Sequence, residues 1–213
     1  MAHVLQFLFF LLVVRPLALV ILGLNVRHRE RLPKKGPVIL VANHNSHLDT
    51  MVLIALFPMA MLRHLRPVAA ADYFLRNKLL AWFALNIIHI VPLNRGRPVK
   101  GEDPLQGCTD SLNQGDILIL FPEGSRGEPE KFKAFKTGIA HLVERHPQVP
   151  VVPVFLHGLG KALPKGEALL VPFFCDVFIG ESLFWTGERQ TLMNALEGSL
   201  KGLADEGHFT PWE

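Results

Sequence analysis

The chain has 213 residues, which is long enough for one domain with its own core and too short for two domains of ordinary size. Lys and Arg together number 22 against 19 Asp and Glu, and this small basic excess, with no recognised nucleic-acid-binding module, argues against nucleic acid as a partner. The mean hydropathy of +0.27 is high for a purely soluble domain, so part of the chain is expected to contact lipid.

The first predicted element is an apolar helical segment over residues 4–24, which we interpret as a membrane anchor. Its length matches a transmembrane helix, but Arg15-Pro16 divides it into two parts that are each too short to cross a bilayer. The pattern therefore favours a kinked helix half-buried in one leaflet over a spanning helix. A secretory signal is disfavoured, because no Lys or Arg precedes the apolar run and no small-residue cleavage site follows it.

A basic cluster follows the apolar segment and is opposed only by Glu30; it comprises Arg27, Arg29, Arg31, Lys34 and Lys35. Such a cluster beside an apolar run is favoured on the cytoplasmic side and attracts anionic phospholipid headgroups. The alternative is a solvated loop without a lipid role. We expect residues 1–35 to form the anchor and its basic flank, with the remaining domain, residues 36–213, membrane-associated and facing the cytoplasm (at the inner membrane of a bacterium).

Beyond residue 37 the pattern alternates between strands and helices. Strands are predicted over residues 38–42, 66–71, 87–93, 116–121, 149–156, 168–174 and 176–179, and helices over residues 48–62, 73–86, 105–113, 137–145 and 189–204. This alternation predicts an α/β fold with a mostly parallel central sheet flanked by helices. Cys108 and Cys175 lie in no metal or redox spacing and are predicted to be buried free thiols.

Two polar stretches follow predicted strands, residues 43–49 and residues 122–126. Ligand sites of open α/β sheets form outside the carboxyl ends of strands, so the two stretches are expected to meet in one crevice.

In the first stretch, His44 and Asp49 are candidates for a catalytic base and the carboxylate that orients it. A carboxylate on one ring nitrogen fixes the tautomer and leaves the other nitrogen to accept a proton. The alternative is a helix-capping Asp49 beside a structural histidine. His47 adds a possible metal ligand, but no further Glu or His completes a familiar zinc spacing. Ser46 fits a helix cap better than a nucleophile, because it lacks the G-x-S-x-G context.

The second stretch reads Phe-Pro-Glu-Gly-Ser-Arg at positions 121–126. Gly124 permits a tight turn with exposed backbone N–H groups, and Arg126 offers a fork suited to phosphate or carboxylate. Glu123 either holds that arginine or hydrogen-bonds a substrate hydroxyl. An ordinary surface turn with an internal ion pair is the alternative.

Further basic residues follow both parts of the predicted site, namely Arg95 after the third strand and, beyond the second stretch, Lys133 and Lys136. A phospholipid headgroup or the phosphates of a carrier suit them, and a solvated face is the alternative.

These motifs resemble those of the glycerolipid acyltransferase family, which includes the 1-acylglycerol-3-phosphate and other lysophospholipid acyltransferases. The resemblance rests on His44 with Asp49 five positions later, on the 121–126 stretch, and on Phe-Lys-Thr-Gly at 135–138 and Val-Val-Pro-Val at 151–154. It covers about residues 36 to 160. One departure lies at positions 92–95, where the family's Phe-Ile-x-Arg is Pro-Leu-Asn-Arg.

The resemblance implies transfer of a fatty acyl group from acyl-CoA or acyl carrier protein to a lysophospholipid, without a further cofactor or metal. His44 would be the general base and Asp49 its partner. The acceptor-binding residues would be Arg95, Glu123, Gly124, Ser125 and Arg126. Two other functions stay open from the residues alone: a metal-dependent hydrolase of phospholipid headgroups, and a non-catalytic lipid-binding protein on the same fold.

Overall fold

The computed structural model describes residues 2–96, 102–127, 132–163, 171 and 173–209. The α-helices of this part of the chain are α1 (Ala2–Phe9), α2 (Leu48–Ala55), α3 (Ala71–Phe74), α4 (Lys78–Phe83), α5 (Gln106–Asn113), α6 (Gly138–Arg145), α7 (Leu159–Ala162) and α8 (Arg189–Glu206). The π-helical segments Phe10–Val14 and Leu17–Ile21 extend α1, and Ala84–Ile88 extends α4. Two 3₁₀ turns lie at Arg29–Arg31 and Met59–His64.

The described strands form one seven-stranded sheet in the order β1-β7-β6-β2-β5-β3-β4. The strands are β1 (Asn25–Arg27), β2 (Val38–Ala42), β3 (Leu65–Ala70), β4 (Val91–Leu93), β5 (Ile117–Leu120), β6 (Val151–His157) and β7 (Asp176–Ile179). Neighbours pair in parallel except β6 and β7, so β1 and β7 run opposite to the other strands. The predicted mostly parallel sheet flanked by helices is confirmed.

Strand β2 lies in the middle of the sheet, and all its residues are buried. Alternate side chains of a strand point to opposite faces, and β2 accordingly contributes to a core on each side of the sheet. Leu40 packs with the N-terminal helix, α2 and the segment Ala84–Ile88, whereas Ile39 and Val41 pack with α5, α6 and α8. The result is three layers, with helices covering both faces of the sheet.

The N-terminal segment is one apolar helix, Ala2–Ile21, that is long enough by length and composition to cross a membrane. One of its sides is buried against the rest of the protein at every fourth position, through Gln6, Phe10, Val14, Ala18 and, just beyond its end, Leu22. The other side exposes Val4, Leu5, Phe7, Leu8, Leu11, Leu12, Val13, Leu19, Val20 and Ile21.

Arg15 and Arg29 fasten this N-terminal region to α2. The Arg15 guanidinium donates to the Phe57 carbonyl at 3.0 Å, and that of Arg29 donates to the Leu56 carbonyl at 3.3 Å. The last carbonyls of a helix lack intrahelical partners, and arginines near a helix C-terminus are favourable there. The charge inside the apolar segment is therefore directed at protein.

The basic flank enters the sheet, which its composition did not predict. Asn25–Arg27 forms β1 beside β7. Arg31 donates to the Ile179 carbonyl at 3.1 Å and pairs with Glu181 at 2.9 Å. Two of the predicted headgroup-binding arginines, Arg29 and Arg31, thus hold the fold together.

Several predicted boundaries were wrong. The helix predicted over residues 48–62 ends at Ala55, because Pro58 disfavours helical backbone in the residue before it. The helix predicted over 73–86 is divided between α3 and α4, with Asn77 capping α4 through hydrogen bonds from the Leu79 and Leu80 N–H groups.

The strand predicted over 87–93 is reduced to Val91–Leu93, since the chain stays helical to Ile88 and reverses at His89 with φ 61°. Most of the predicted strand over residues 168–174 lies outside the described residues, and the described positions 171, 173 and 174 are not in a strand. Both cysteines are buried and neither is given a disulfide partner, in agreement with the prediction.

Candidate active site

Four neighbouring parallel strands, β2, β5, β3 and β4, end at the same edge of the sheet. Four residues that are distant in sequence meet there because each follows the end of one of these strands by two or three positions: His44 after β2, Glu123 after β5, Asp72 after β3 and Arg95 after β4. The two polar stretches therefore share one crevice, as the sequence predicted.

His44 and Asp49 form the predicted pair. The His44 Nδ1 lies 2.9 Å from Asp49 Oδ2, and the same oxygen accepts the backbone N–H groups of Asn45 at 2.6 Å and Ser46 at 2.8 Å. The Asp49 side chain is fully buried and that of His44 is 18% exposed. The contact between Nδ1 and a carboxylate oxygen assigns the proton of the ring to Nδ1, which leaves Nε2 as a proton acceptor.

The second stretch and the adjoining Gly127 make three contacts with His44. The Phe121 ring stacks on the imidazole with centroids 4.1 Å apart and planes inclined by 21°. The His44 N–H donates to Glu123 Oε1 at 3.0 Å, and the His44 carbonyl accepts from the Gly127 N–H at 3.0 Å. Backbone and ring of this histidine are thus both fixed by residues about 80 positions further along the chain.

Glu123 is 3% exposed and lies behind the crevice rather than in its wall. Burial raises the pKa of its carboxyl group, opposed by the hydrogen bond from His44. The observed partner of Glu123 Oε1 is the His44 N–H and not the neighbouring arginine that the sequence offered as one alternative.

The crevice is a cavity of about 540 Å³ with a polar and an apolar part. The described polar residues in its lining are His44, His47, Thr50, Arg95, Ser125 and Arg126. The apolar part is formed chiefly by Val68, Tyr73, Phe74, Leu80, Phe83, Ile88, Ile90 and Leu93. Cavities of about 300–1,000 Å³ are typical of sites that bury a small ligand. This one suits a molecule with a charged end and a long apolar end.

Arg95 is held at the polar end by an exposed carboxylate. Its Nη2 lies 3.1 and 3.0 Å from the two Asp72 oxygens, and its Nη1 donates to the Gly124 carbonyl at 2.9 Å. Gly124 has φ 69°, a left-handed backbone conformation that favours glycine. The predicted Gly124 turn and Arg95 are therefore brought together.

Ser125, Arg126 and Lys133 continue this turn. Ser125 is exposed, Arg126 is half-buried, and the Lys133 ammonium donates to the Arg126 carbonyl at 2.9 Å. Ser46 does not face the cavity. Its hydroxyl donates to the Leu163 carbonyl at 2.9 Å and accepts from the Leu48 N–H at 3.3 Å, whereas the N-cap residue of α2 is His47 and not the predicted Ser46.

His47 lines the cavity beside the Tyr73 ring, with centroids 6.0 Å apart. Partial burial, then the charges of Arg126 and His44, lower the pKa of His47. This imidazole is therefore neutral near pH 7. Among the described residues no group of three or more His, Cys, Asp or Glu is close enough to hold a metal ion.

Three contacts had no signal in the sequence: the Phe121 stack, the Gly127 hydrogen bond and the Asp72–Arg95 ion pair. Each joins residues separated by more than 20 positions, and only the fold brings them together.

Comparison with known proteins gives concordant results. A family model described as "Acyltransferase" matches residues 23–157. The chain is 32% identical over 145 residues to a chloroplastic 1-acyl-sn-glycerol-3-phosphate acyltransferase of Arabidopsis thaliana, covering 68% of this chain and 38% of the plant protein. It is 31% identical over 188 residues to a 1-acyl-sn-glycerol-3-phosphate acyltransferase of Chlamydomonas reinhardtii, covering 84% and 54%. The chain thus spans about half or less of the length of these relatives.

The fold is similar to the crystal structure of the 1-acyl-sn-glycerophosphate acyltransferase PlsC from Thermotoga maritima. The TM-score is 0.68 at 24% identity, over 85% of this chain and 71% of that one. The family model matches well over half of the chain, and the chain belongs to the acyltransferase family.

Proposed function

We propose that this acyltransferase moves a fatty acyl group from acyl-CoA or acyl carrier protein to the hydroxyl of a lysophospholipid in phospholipid biosynthesis, with 1-acyl-sn-glycerol-3-phosphate as the acceptor. The observation that carries the proposal is the buried Asp49 carboxylate 2.9 Å from His44 at the polar end of an apolar cavity. The printed activity of the relatives supports the choice of acceptor.

In this proposal His44 Nε2 removes the proton of the acceptor hydroxyl while the hydroxyl oxygen attacks the thioester carbonyl carbon. The imidazolium that forms is stabilised by Asp49, and it returns the proton to the departing thiolate as the C–S bond breaks. The products are an ester and a free thiol. The thioester supplies the acyl group, and the acceptor hydroxyl supplies the proton that the departing thiolate takes up. The reaction therefore balances without a cofactor.

The acceptor's phosphate is assigned to the charged turn. Ser125 and Arg126 line the cavity and belong to the same stretch that contacts His44. The Gly124 carbonyl in this stretch accepts a hydrogen bond from Arg95. Arginine forks bind phosphate in bidentate fashion, which favours a phosphate-bearing acceptor over a neutral one. The apolar part of the cavity is assigned to an acyl chain.

Glu123 is proposed as a positioning residue, not as a substrate ligand. Its buried carboxylate bonds the His44 N–H, and the cavity lining passes in front of it. Together with the Phe121 ring and the Gly127 N–H it would keep Nε2 in one orientation, which lowers the cost of reaching the reactive geometry.

We further propose that residues 1–35 attach the catalytic domain, residues 36–213, to the cytoplasmic surface of a membrane. The apolar helix Ala2–Ile21 packs against the protein on one side from Gln6 to Leu22, so only the other side is available to lipid. This arrangement supports a helix lying in one leaflet over a helix that crosses the bilayer.

One experiment tests the reaction and identifies both substrates. The full chain, purified in detergent, is incubated with isotope-labelled acyl-CoA or acyl carrier protein thioester and a panel of lysophospholipids. The masses of the products are measured by mass spectrometry. We expect a labelled diacyl product from 1-acyl-sn-glycerol-3-phosphate that persists after thorough chelation. Headgroup release that chelation abolishes would instead identify a metal-dependent hydrolase, and no product from any pair would identify a lipid-binding protein.

A further inference from the structure

The outer side of the helical segment Lys78–Ile88 exposes apolar side chains that the active site does not use. Leu79, Trp82 and Leu85 follow one another at intervals of three, and Leu75 precedes them in the turn before α4. Their exposed fractions are 80%, 46% and 42%, with 42% for Leu75. Large apolar residues clustered in this way on one side of a helix mark an interaction surface. We call these four residues the α4 outer face.

The helix that carries this face packs against the N-terminal helix. The Phe9 and Phe83 rings meet edge to face with centroids 5.3 Å apart, and the His3 and His89 rings do so at 5.6 Å. Both helices therefore lie side by side on one part of the protein, and both present apolar side chains outward.

The charges around this surface favour an anionic partner. Residues 73–96 contain no Asp or Glu, whereas Arg76 and Lys78 flank the apolar residues and are exposed. The Arg76 guanidinium lies 4.9 Å from the Tyr73 ring centroid, which keeps it at the edge of the apolar patch. Basic residues and a tryptophan around an apolar patch are typical of protein segments at a membrane interface.

The inner side of the same helix forms part of the cavity wall through Leu80, Phe83 and Ile88. One helix therefore separates the cavity from the outer apolar surface. A lysophospholipid that leaves the bilayer beside this helix would need to move only past its edge to place its chain in the cavity.

We propose that the α4 outer face is a second membrane-docking surface, inserted into the same leaflet as the N-terminal helix. The partner is a phospholipid monolayer with anionic headgroups, because the helix that carries the face packs against the apolar anchor and the exposed Arg76 and Lys78 flank the face. This inference rests on the proposed membrane attachment, and it adds that the catalytic domain itself contacts lipid beside the active site.

Tryptophan fluorescence tests this contact directly. The chain has three tryptophans, so Trp185→Phe with Trp212→Phe leaves Trp82 as the sole reporter. Bound to vesicles of phosphatidylcholine and phosphatidylglycerol with brominated acyl chains, this protein should show blue-shifted, strongly quenched emission. The matched control keeps Trp185, which packs against the core on the opposite side of the sheet, in a Trp82→Phe and Trp212→Phe protein. We expect its quenching to be at least about threefold weaker.

The outcomes separate this inference from the proposals on which it rests. Vesicle flotation without quenching of Trp82 would overturn α4 docking and leave the N-terminal anchor intact. Flotation that fails altogether would overturn both, whereas acyl transfer in detergent is measured independently of either. Cross-linking of two copies through α4, with Trp82 unquenched, would assign the face to a dimer instead.

A second variant tests the functional consequence. Leu79→Ser with Trp82→Ser should keep the acyl-transfer rate in detergent, since neither residue lines the cavity, and lose rate on vesicle-embedded acceptor. Phe184→Ser, at an equally exposed phenylalanine elsewhere, is the control and should retain both rates. Equal rates for all three proteins on vesicles would contradict the docking surface.

Discussion

The two halves of the candidate site are built differently. The half that holds His44 is buried and fixed by many contacts: Asp49 is fully buried, Glu123 is 3% exposed, and the imidazole is stacked on Phe121. The half that holds Arg95 is open, with side chains of Arg95 and Asp72 that are 34% and 67% exposed. Buried hydrogen bonds cost more to disturb than exposed ion pairs. This difference agrees with the proposal that the first half holds the catalytic base in place and the second half binds the acceptor.

Asp49→Asn should have the largest effect among variants that keep the shape of the buried half. The same oxygen, Oδ2, accepts from both backbone N–H groups and from Nδ1, so an amide oxygen in its place keeps these hydrogen bonds but lacks the negative charge that stabilises the imidazolium. We expect kcat to fall by about 10²–10³-fold with little change in KM, in the manner of other histidine–carboxylate pairs. Steady-state kinetics check this, and a variant within a few-fold of wild type would show that Asp49 only caps α2.

Glu123→Ala and Glu123→Gln distinguish positioning from substrate binding. Alanine removes the acceptor of the His44 N–H, so kcat should fall by about 10–100-fold with KM for the acceptor unchanged. Glutamine retains a carbonyl oxygen at that place and should restore most of kcat. If Glu123 bound the acceptor through its charge, glutamine would fail to rescue and KM would rise in both variants.

Arg126→Gln, in the open half of the site, should change KM more than kcat, which is the opposite of the change expected for Glu123→Ala. Losing one charged phosphate contact is expected to raise KM for a phosphate-bearing acceptor by about tenfold or more, with a smaller change in kcat. A neutral monoacylglycerol acceptor should be insensitive to the change. Lys201→Gln removes a charge from the exposed surface of α8 and is the control. Equal losses on both acceptors would refute phosphate recognition by Arg126.

The smallest expected effect concerns His47 and pH. Because its pKa is lowered in the folded protein, the unfolded chain binds more protons, and His47 stabilises less as pH falls through its ordinary value of 6.5. Wild type should therefore lose stability relative to His47→Gln between neutral and mildly acidic pH. Thermal melts of both proteins measure this, and a constant difference in Tm across the range would contradict it.

The sequence could predict features that depend on residues close together in the chain, and it could not predict those that depend on distant ones. β2 is a short apolar run typical of a buried strand, and His44 and Asp49, which lie only five residues apart, follow it directly, so both were predictable. β1 is Asn-Val-Arg, which carries no apolar pattern, and its pairing with β7 joins residues 151 positions apart.

The contact of Glu123 with His44 could not be predicted for the same reason. Its partner is a backbone N–H 79 residues away, and no side-chain pattern in the sequence signals such a bond. The order of strands brings these groups together, and it depends on packing across the whole sheet.

The most direct test of the central claim compares two histidines that each bond a buried aspartate. His44 pairs with Asp49 at the carboxyl ends of the strands, whereas His64 pairs with Asp116, 3.1 Å away, just before β5 begins. The measurement is the initial rate of labelled acyl transfer to 1-acyl-sn-glycerol-3-phosphate by His44→Ala, His64→Ala and wild type, with Tm recorded for each.

The proposed mechanism predicts that His44→Ala loses about 10³-fold or more of the rate with Tm nearly unchanged, and that His64→Ala stays within about threefold of wild type. Near-wild-type transfer by folded His44→Ala would contradict the assignment of His44 as the base.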